Sequence, residues 1–173
     1  RAESLNDFVR VGGQDLIETI QNSYDNPGMD ETIIVCRSNK QANKYNQGIR
    51  SRILWKEEEL SPGEQLMVVK NNYYWFRDED EVDFIANGDI VELRRVLQFK
   101  ELYDLRFAKV SASMKDYPDM DFECWILLDT LAVESAALSR DVMRDFFFKV
   151  MEDYQHIKGK KHRMDAVKDD EFL

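Results

Sequence analysis

The sequence predicts an α+β fold, and three patterns along the chain support this prediction. A short run of β-prone residues at 32–35 is followed directly by a segment with helical periodicity. Several short strand patterns, separated by turn signals, lie between residues 65 and 128. A long apolar stripe at helical spacing begins after Ser139. We therefore expect an incomplete α/β segment, then a small β-barrel, then a C-terminal helix.

The first predicted helix begins at Asp15. Asp15 and Glu18 have the spacing of an N-terminal capping pattern, in which two side chains satisfy the first free N–H groups. An Asn-Pro-Gly sequence at 26–28 ends the helix. Its buried stripe consists of Leu16, Ile17, Ile20 and Tyr24.

A strand, a tight turn and a second helix are predicted next. The run Thr-Ile-Ile-Val at 32–35 is typical of a buried parallel strand. Ser38, with Gln41 three residues later, indicates a helix start. In an open α/β sheet, ligands bind beyond the carboxyl ends of the strands, and a helix N-terminus favours anions. Arg37, Asn39 and Lys40 occupy that position, so they form either a ligand contact or a solvated turn.

The predicted barrel follows a Ser-Pro-Gly turn at 61–63. Strands are expected at 66–69, 90–97, 105–114 and 122–128, the third with a bulge near Ala108. Asn87 and Gly88 both tolerate positive φ and indicate a hairpin turn. Residues 71–84 are expected to form a long hairpin excursion that carries four consecutive aromatic residues. Strands of this number and length suggest a barrel of SH3-like size.

The last helix carries an apolar stripe from Val142 to Tyr154, which is typical of a core-facing surface. A basic cluster at 158–163 follows it. We interpret this cluster as the solvated end of the helix, where the helix dipole favours cations. A contact with a DNA backbone is the alternative.

Composition limits the function classes that remain open. The chain has 173 residues and a net charge of −10, which on average repels nucleic acid, so any DNA contact must use a local basic patch. No apolar run approaches the ~20 residues of a membrane span, and no signal peptide is visible. Cys36 and Cys124 lie in separate predicted strands, and His156 and His162 cannot join them in a zinc-binding spacing. We expect no disulfide, no metal site and a cytoplasmic location.

The sequence contains none of the common catalytic and nucleotide-binding motifs. It contains no G-x-x-x-x-G-K-[ST], G-x-G-x-x-G, G-x-S-x-G or H-E-x-x-H pattern. No carboxylate is marked as catalytic by its neighbours. We therefore expect no catalytic residue, and neither ATP binding nor ATP turnover by this chain alone.

Two segments resemble a known family. The sequence CRSNKQANKYNQGIR at 36–50 resembles the opening of the second RecA-like domain in superfamily 1 DNA helicases of the RecD/Dda branch. The sequences GEQLMVVKNNYYW at 63–75 and FIANGDIVEL at 84–93 resemble the start of the small barrel inserted into that domain. One departure is Val91, where the family commonly has Gly. The family includes the alpha subunit of exonuclease V.

The resemblance implies that this chain is a non-catalytic piece of a larger ATP-dependent DNA helicase. That parent protein would be an ATP hydrolase that acts in DNA repair. Residues 1–60 would belong to a partial RecA-like domain, residues 61–134 to an SH3-like barrel, and residues 135–173 to a C-terminal helix and tail. The parent protein would bind ATP and Mg²⁺ through its other helicase domains. Its partners would be those missing domains and single-stranded DNA, with no membrane.

The resemblance also implies roles for individual residues. Arg37 and Lys40 would contact the nucleotide. The implied DNA contacts are Asn39, Asn46, Arg50, Asn72, Tyr74, Trp75, Lys160 and Lys161. Alternatives stay open: Arg37 pairs with an acidic neighbour, and the aromatic residues pack within their hairpin. The whole chain could instead be a protein-interaction module, using the aromatic hairpin or the Met/Phe helix face, or a small nucleotide-binding enzyme.

Overall fold

A computed structural model describes residues 7–72, 84–131, 133–135 and 137–173. The chain divides into two compact units, Arg1–Trp55 and Lys56–Leu173. The first contains helices α1, Leu16–Asp25, and α2, Asn39–Arg52. The second contains a four-stranded sheet and two further helices. Among the described residues, every helix is too short or too polar to span a lipid bilayer.

Helices α1 and α2 confirm two predictions and correct one detail. Ser38 is extended, and its Oγ accepts a hydrogen bond from the Gln41 N–H at 3.3 Å, as the capping pattern predicts. Asp15 makes no side-chain cap at the start of α1, so that part of the prediction is wrong. Its backbone carbonyl accepts hydrogen bonds from Thr19 instead. The two helices share an apolar cluster built on Ile20, Ile49 and Ile53.

In the chain that the structure describes, residues 32–35 do not form the buried parallel strand that is predicted there. The segment is extended, but no strand pairing and no backbone hydrogen bond joins residues 33–36 to any described part of the chain. Ile34 packs against the cluster of α1 and α2, whereas Ile33 and Val35 are each 86% exposed. Branching at Cβ favours extended backbone, but only a partner strand makes that backbone part of a sheet.

The second unit is organised by an antiparallel sheet that curls into a half-barrel. Its strands are β1, Gln65–Met67; β2, Ile90–Leu102; β3, Leu105–Met114; and β4, Tyr117–Leu127, in that spatial order. The described residues therefore show a half-barrel, and the SH3-like barrel stays a prediction. The core of its inner face comprises Leu60, Leu93, Ala108, Val110, Ala112 and Leu128.

The irregularities of the sheet differ from those predicted. The register between β2 and β3 shifts between Leu93 and Arg95 and again between Val96 and Gln98, so the extra residues lie in β2. The bulge expected near Ala108 of β3 is wrong, because β3 pairs without interruption there. Each extra residue adds local twist, which helps the sheet to curl.

A tight turn at Tyr103 and Asp104 joins β2 to β3. Both residues have positive φ, 57° and 61°, and Leu102 pairs directly with Leu105. This is the backbone of a two-residue hairpin turn that Gly or Asn usually occupies. The strand predicted to end at 97 therefore continues to Leu102, five residues further.

The turn predicted at Asn87 and Gly88 is present. The Asp89 N–H donates to the carbonyl of Ala86 at 3.1 Å, and Gly88 has φ of 102°. Asn87 does not have positive φ, so the expected geometry is wrong at that residue. The turn leads from an isolated bridge between Asn72 and Ile85 into β2.

Two helices cover one face of the sheet at the hairpin end. Helix α3, Arg140–Asp153, begins at Ser139, whose Oγ accepts from the Val142 N–H at 3.3 Å. Helix α4, Lys160–Lys168, follows it after a short connection. The shared core consists of Leu105, Phe107, Phe146, Val150 and Val167. The Met/Phe stripe of α3 is thus largely used inside this unit.

Candidate nucleotide and nucleic-acid contacts

Arg37 lies at the end of the extended segment, directly before the Ser38 cap of α2. Its side chain is exposed. It makes no hydrogen bond or ion pair with any residue in the part of the chain that the structure describes. The alternative in which Arg37 pairs with an acidic neighbour is therefore wrong for the described residues. Its guanidinium keeps five N–H donors in the fork geometry that matches phosphate oxygens.

The Arg37 side chain borders an open hollow of about 490 Å³ in the first unit. The walls are largely apolar and come from α1, the extended segment and α2: Leu16, Ile20, Ile33, Ile34, Val35, Cys36, Gln41 and Tyr45. Lys40 does not line this hollow. The two predicted nucleotide contacts are therefore not brought together there, and Arg37 is the cation beside the hollow.

The polar residues of α2 separate into two groups. At 100° per residue, Asn39 and Asn46 lie within about 20° of each other around the helix axis, and Arg50 lies within about 40° of Asn46. These three residues share one flank of the helix beside its buried stripe. Lys40 lies about 120° from Asn46, toward solvent. The structure therefore brings Asn39, Asn46 and Arg50 together, and leaves Lys40 apart from them.

Charge is distributed unequally between the two units. Residues 1–55 contain seven Lys or Arg and seven Asp or Glu, so the net charge of −10 belongs entirely to residues 56–173. Helix α2 has no acidic residue; its charged residues are Lys40, Lys44, Arg50 and Arg52. The general repulsion of phosphate by this chain therefore does not apply to the surface of α2.

The basic cluster begins a helix rather than ending one. Gly159, with φ of 96°, precedes α4, and Lys160 and Lys161 form its first turn. The interpretation of this cluster as a C-terminal helix end is wrong, because the connection after α3 breaks the helix. Cations are unfavourable at a helix N-terminus. Lys160 and Lys161 are exposed and make no ion pair in the described ranges, so a bound anion would relieve this repulsion.

Arg163 has a structural role that the sequence did not indicate. Its guanidinium donates to the carbonyls of Ile157 at 3.1 Å and Gln155 at 3.4 Å. These bonds hold the connection between α3 and α4. The sequence does not indicate this role, because the acceptors are backbone carbonyls, which every residue has and no sequence pattern marks.

Of the remaining predicted DNA contacts, the structure describes Asn72 but not the two aromatic residues. Asn72 lies in the second unit, where its backbone exchanges hydrogen bonds of 2.8 and 2.9 Å with Ile85 and the residue borders an open groove of about 290 Å³. Tyr74 and Trp75 lie outside the described residues. No group of three His, Cys, Asp or Glu residues is placed to hold a metal ion in the described ranges.

Two partly buried groups of the second unit have raised pKa values. Burial raises the pKa of the Cys124 thiol to about 12. Burial, helped by a hydrogen bond of 2.5 Å to Asp153, raises the pKa of the Tyr103 hydroxyl. The alternation of β4 predicted that Cys124 would point inward, whereas no pattern predicted the contact of Tyr103 with α3. Both groups are neutral at physiological pH and support packing.

No protein-family model matches the chain, and no curated protein is significantly similar to it. The mixed helices and strands and the curled antiparallel sheet establish the α+β class. The RecA-like character of residues 1–60 and the helicase role remain predictions based on the resemblance.

Proposed function

We propose that this chain is a non-catalytic segment of an ATP-dependent DNA helicase of the RecD/Dda type. In this role Arg37 contributes to the nucleotide site of the parent protein, and the half-barrel unit takes part in handling single-stranded DNA. The observation that carries the proposal is the exposed Arg37, which makes no hydrogen bond or ion pair with the described residues and directly precedes a capped helix that has no acidic residue.

The chemistry of the guanidinium supports this role. An arginine can donate two parallel hydrogen bonds to phosphate oxygens and stays charged at any working pH. In motors that transfer a phosphoryl group, such an arginine stabilises charge that develops during hydrolysis. Arg37 has no competing carboxylate in the described chain, so its charge is available to a ligand.

The proposal also accounts for the exposed apolar segment. Ile33 and Val35 expose 86% of their surfaces, which is unusual for β-branched residues in an extended run. In the parent protein, further strands of a parallel sheet would pair with residues 33–36 and cover these side chains. Arg37 would then emerge at the carboxyl edge of that sheet, where α/β proteins bind ligands.

Two surfaces are the proposed contacts with single-stranded DNA. One is the flank of α2 that carries Asn39, Asn46 and Arg50. The other is the first turn of α4, with Lys160 and Lys161. Amide groups and cations of this kind contact phosphate and sugar groups without reading sequence. We therefore expect binding without strong base preference.

The decisive experiment replaces Arg37 in the full-length parent protein. Arg37→Ala and Arg37→Lys are compared with Arg52→Ala, an exposed arginine at the other end of α2. DNA-stimulated ATP hydrolysis should fall by about 10³-fold or more in Arg37→Ala, as for other arginines that act on a transferring phosphoryl group. Arg37→Lys should recover only a small part of the lost ATP hydrolysis, because lysine cannot donate two parallel hydrogen bonds to phosphate as the guanidinium does. Arg52→Ala should hydrolyse ATP normally.

Thermal unfolding of the same variants of this chain distinguishes a functional from a structural role. Arg37 makes no hydrogen bond or ion pair with the described residues, so its replacement should change the free energy of unfolding by less than about 1 kcal/mol. Normal ATP hydrolysis by Arg37→Ala would refute the proposed role. Lost hydrolysis together with a large fall in melting temperature would show that Arg37 supports the fold instead.

A further inference from the structure

Trp55, the last residue of the first unit, is the more exposed of the two tryptophans that the structure describes. Its exposed fraction is 79%, whereas Trp125 is partly buried in the core of the second unit. The indole of Trp55 makes no ring contact with the described residues. Burying an aromatic ring is among the largest favourable terms in packing and binding. An indole left in water is therefore available to a ligand.

The backbone of Trp55 has an uncommon conformation. Its φ is 53°, in the left-handed region that side chains with a Cβ atom disfavour. Glycine would adopt this conformation without the steric cost, and the indole gains little burial in return. Strained residues are concentrated at functional sites. The packing of the described residues thus gives no reason for a tryptophan at this position.

The end of α2 fixes where Trp55 lies. The helix ends at Arg52, and the N–H groups of Ile53 and Leu54 both donate to the carbonyl of Ile49, at 3.0 and 2.9 Å. The side chain of Ile53 is buried in the apolar cluster of the first unit. These contacts hold the chain directly before Trp55. The backbone of Trp55 is therefore fixed close to the last turn of α2.

The polar flank of α2 ends beside Trp55. Asn39 is the first residue of the helix and Arg50 lies in its last turn, so this flank is about 16 Å long at 1.5 Å per residue. That length spans several nucleotides, because stacked nucleotides rise about 3.4 Å each. A single strand that lies along this flank would bring a base to the Arg50 end, where Trp55 follows the helix.

The charge of this region favours a nucleic acid over an apolar protein surface as the occupant. The charged residues of α2 are all cations, and the first unit as a whole has no net charge. An apolar surface would leave these cations without a counter-charge, whereas phosphates supply one. The acidic residues 57–59 belong to the second unit, and Glu59 is already paired with Arg106 at 3.0 Å.

We infer that Trp55 stacks on a base of the single strand whose phosphates lie along the flank of α2. The indole holds a base, while Asn39, Asn46 and Arg50 contact phosphate and sugar groups. This inference rests on the proposed function, since it concerns the same strand. Because every base has an aromatic face, the contact with Trp55 does not select a sequence.

The test uses the full chain at low salt, where phosphate contacts are strongest. One oligonucleotide consists of thymidines, and a second has the same length and charge but carries abasic sites. The variants are Trp55→Gly, Trp55→Phe and Arg50→Ala. Phe148→Ala, which removes an exposed ring of the second unit, is the matched control. Binding is measured by the anisotropy of a dye on the oligonucleotide, and stacking by quenching of tryptophan fluorescence in a Trp75→Phe background.

Trp55→Gly should weaken binding of the thymidine strand about fivefold to 150-fold, the range for one lost base stack. Its binding of the abasic strand should not change. Trp55→Phe should keep most of the affinity, because a ring remains, but should lose the quenching. Trp55→Gly should melt at the same temperature as the unchanged chain or higher, because glycine removes the backbone strain. Phe148→Ala should bind both strands normally.

Three outcomes would overturn the inference. Trp55→Gly could weaken both strands equally or weaken neither, and either result would exclude a base contact. A lower melting temperature of Trp55→Gly would show that the indole supports the fold. Self-association of the chain that Trp55→Gly abolishes would make the indole a contact between copies.

Arg50→Ala separates this inference from the proposed function. Loss of one phosphate contact should lower the slope of the logarithm of affinity against the logarithm of salt concentration by about 0.7. If Arg50→Ala shows this change and Trp55→Gly binds normally, Trp55 has no role and α2 remains a DNA contact. If both variants bind normally, the proposed contact of α2 with DNA fails as well.

Discussion

Phe146 of α3 offers the most direct test of how the second unit is packed. Its side chain is only 2% exposed. Its ring lies 5.7 Å from that of Tyr103 and 5.9 Å from that of Phe107, measured between ring centroids. Phe148, two residues later on the same helix, is 48% exposed. The two positions allow the same substitution to be compared in a core and on a surface.

Phe146→Ala should destabilise the unit by about 3–5 kcal/mol, the usual cost of removing a buried phenylalanine and leaving a cavity. Phe148→Ala should cost less than about 1 kcal/mol, because much of its ring is already in water. Alanine has the higher helix propensity, but this gain is the same at both sites and cancels in the comparison.

Urea unfolding, followed by the fluorescence of Trp125, measures both variants. Trp125 reports on this unit because its ring lies 5.0 Å from that of Phe172 in the same core. Trp55 and Trp75 are changed to Phe in the background protein so that one fluorophore remains. With a slope of about 2 kcal/mol per molar urea, Phe146→Ala should lower the midpoint by about 1.5–2.5 M. Equal shifts for the two variants, or a loss below about 1 kcal/mol at Phe146, would refute the packing of α3 on the hairpin.

Two further outcomes follow from the second unit. At pH 8 a disulfide reagent should modify Cys36 rapidly and Cys124 only after unfolding, because burial raises the pKa of the Cys124 thiol to about 12 and leaves little thiolate. The C124A variant should lack the slow phase of modification. Equal modification rates of the two cysteines in the native protein would contradict this prediction. The chain alone should bind a single-stranded oligonucleotide with a dissociation constant near ~10⁻⁴ M at physiological salt. The double change K160E/K161E should weaken this binding further, whereas K168E at the other end of α4 should have little effect. Sub-micromolar binding, or indifference to the first pair of changes, would count against the contact at α4.

Local sequence rules predicted the elements whose causes are local. The Ser38 cap, the apolar stripes of α1 and α3 and the alternation of β4 are all visible in the sequence, and the structure contains each of them. These features depend on residues a few positions apart. They could be predicted because the hydrogen bonds and burial that produce them repeat with the period of the helix or strand.

The turn at Tyr103 and Asp104 could not be predicted in this way. Tyr103 is not a usual choice for positive φ, where the left-handed backbone costs about 1–2 kcal/mol outside glycine, whereas Asp104 tolerates this conformation better. Distant contacts of α3 hold the turn: the Tyr103 hydroxyl donates to Asp153, and Lys149 pairs with Asp104. Their partners lie about 45–50 residues away in the sequence, so no local pattern reports them.

The error at residues 32–35 has a related cause. Sequence patterns record the preference of Thr, Ile and Val for extended backbone, but they do not record whether a partner strand is present. In the candidate site, the position of Arg37 before the cap was predictable. The finding that no described carboxylate pairs with Arg37 was not predictable, because it depends on where distant acidic residues lie.

Charge in this protein is best understood element by element. Salt screens interactions between exposed charges beyond about 8–10 Å, which is shorter than either unit, so the total of −10 says little about any single surface. Helix α2 carries cations without acids, whereas the outward face of β4 carries Asp119, Asp121 and Glu123 in succession. Anions are therefore expected at α2 and cations at β4.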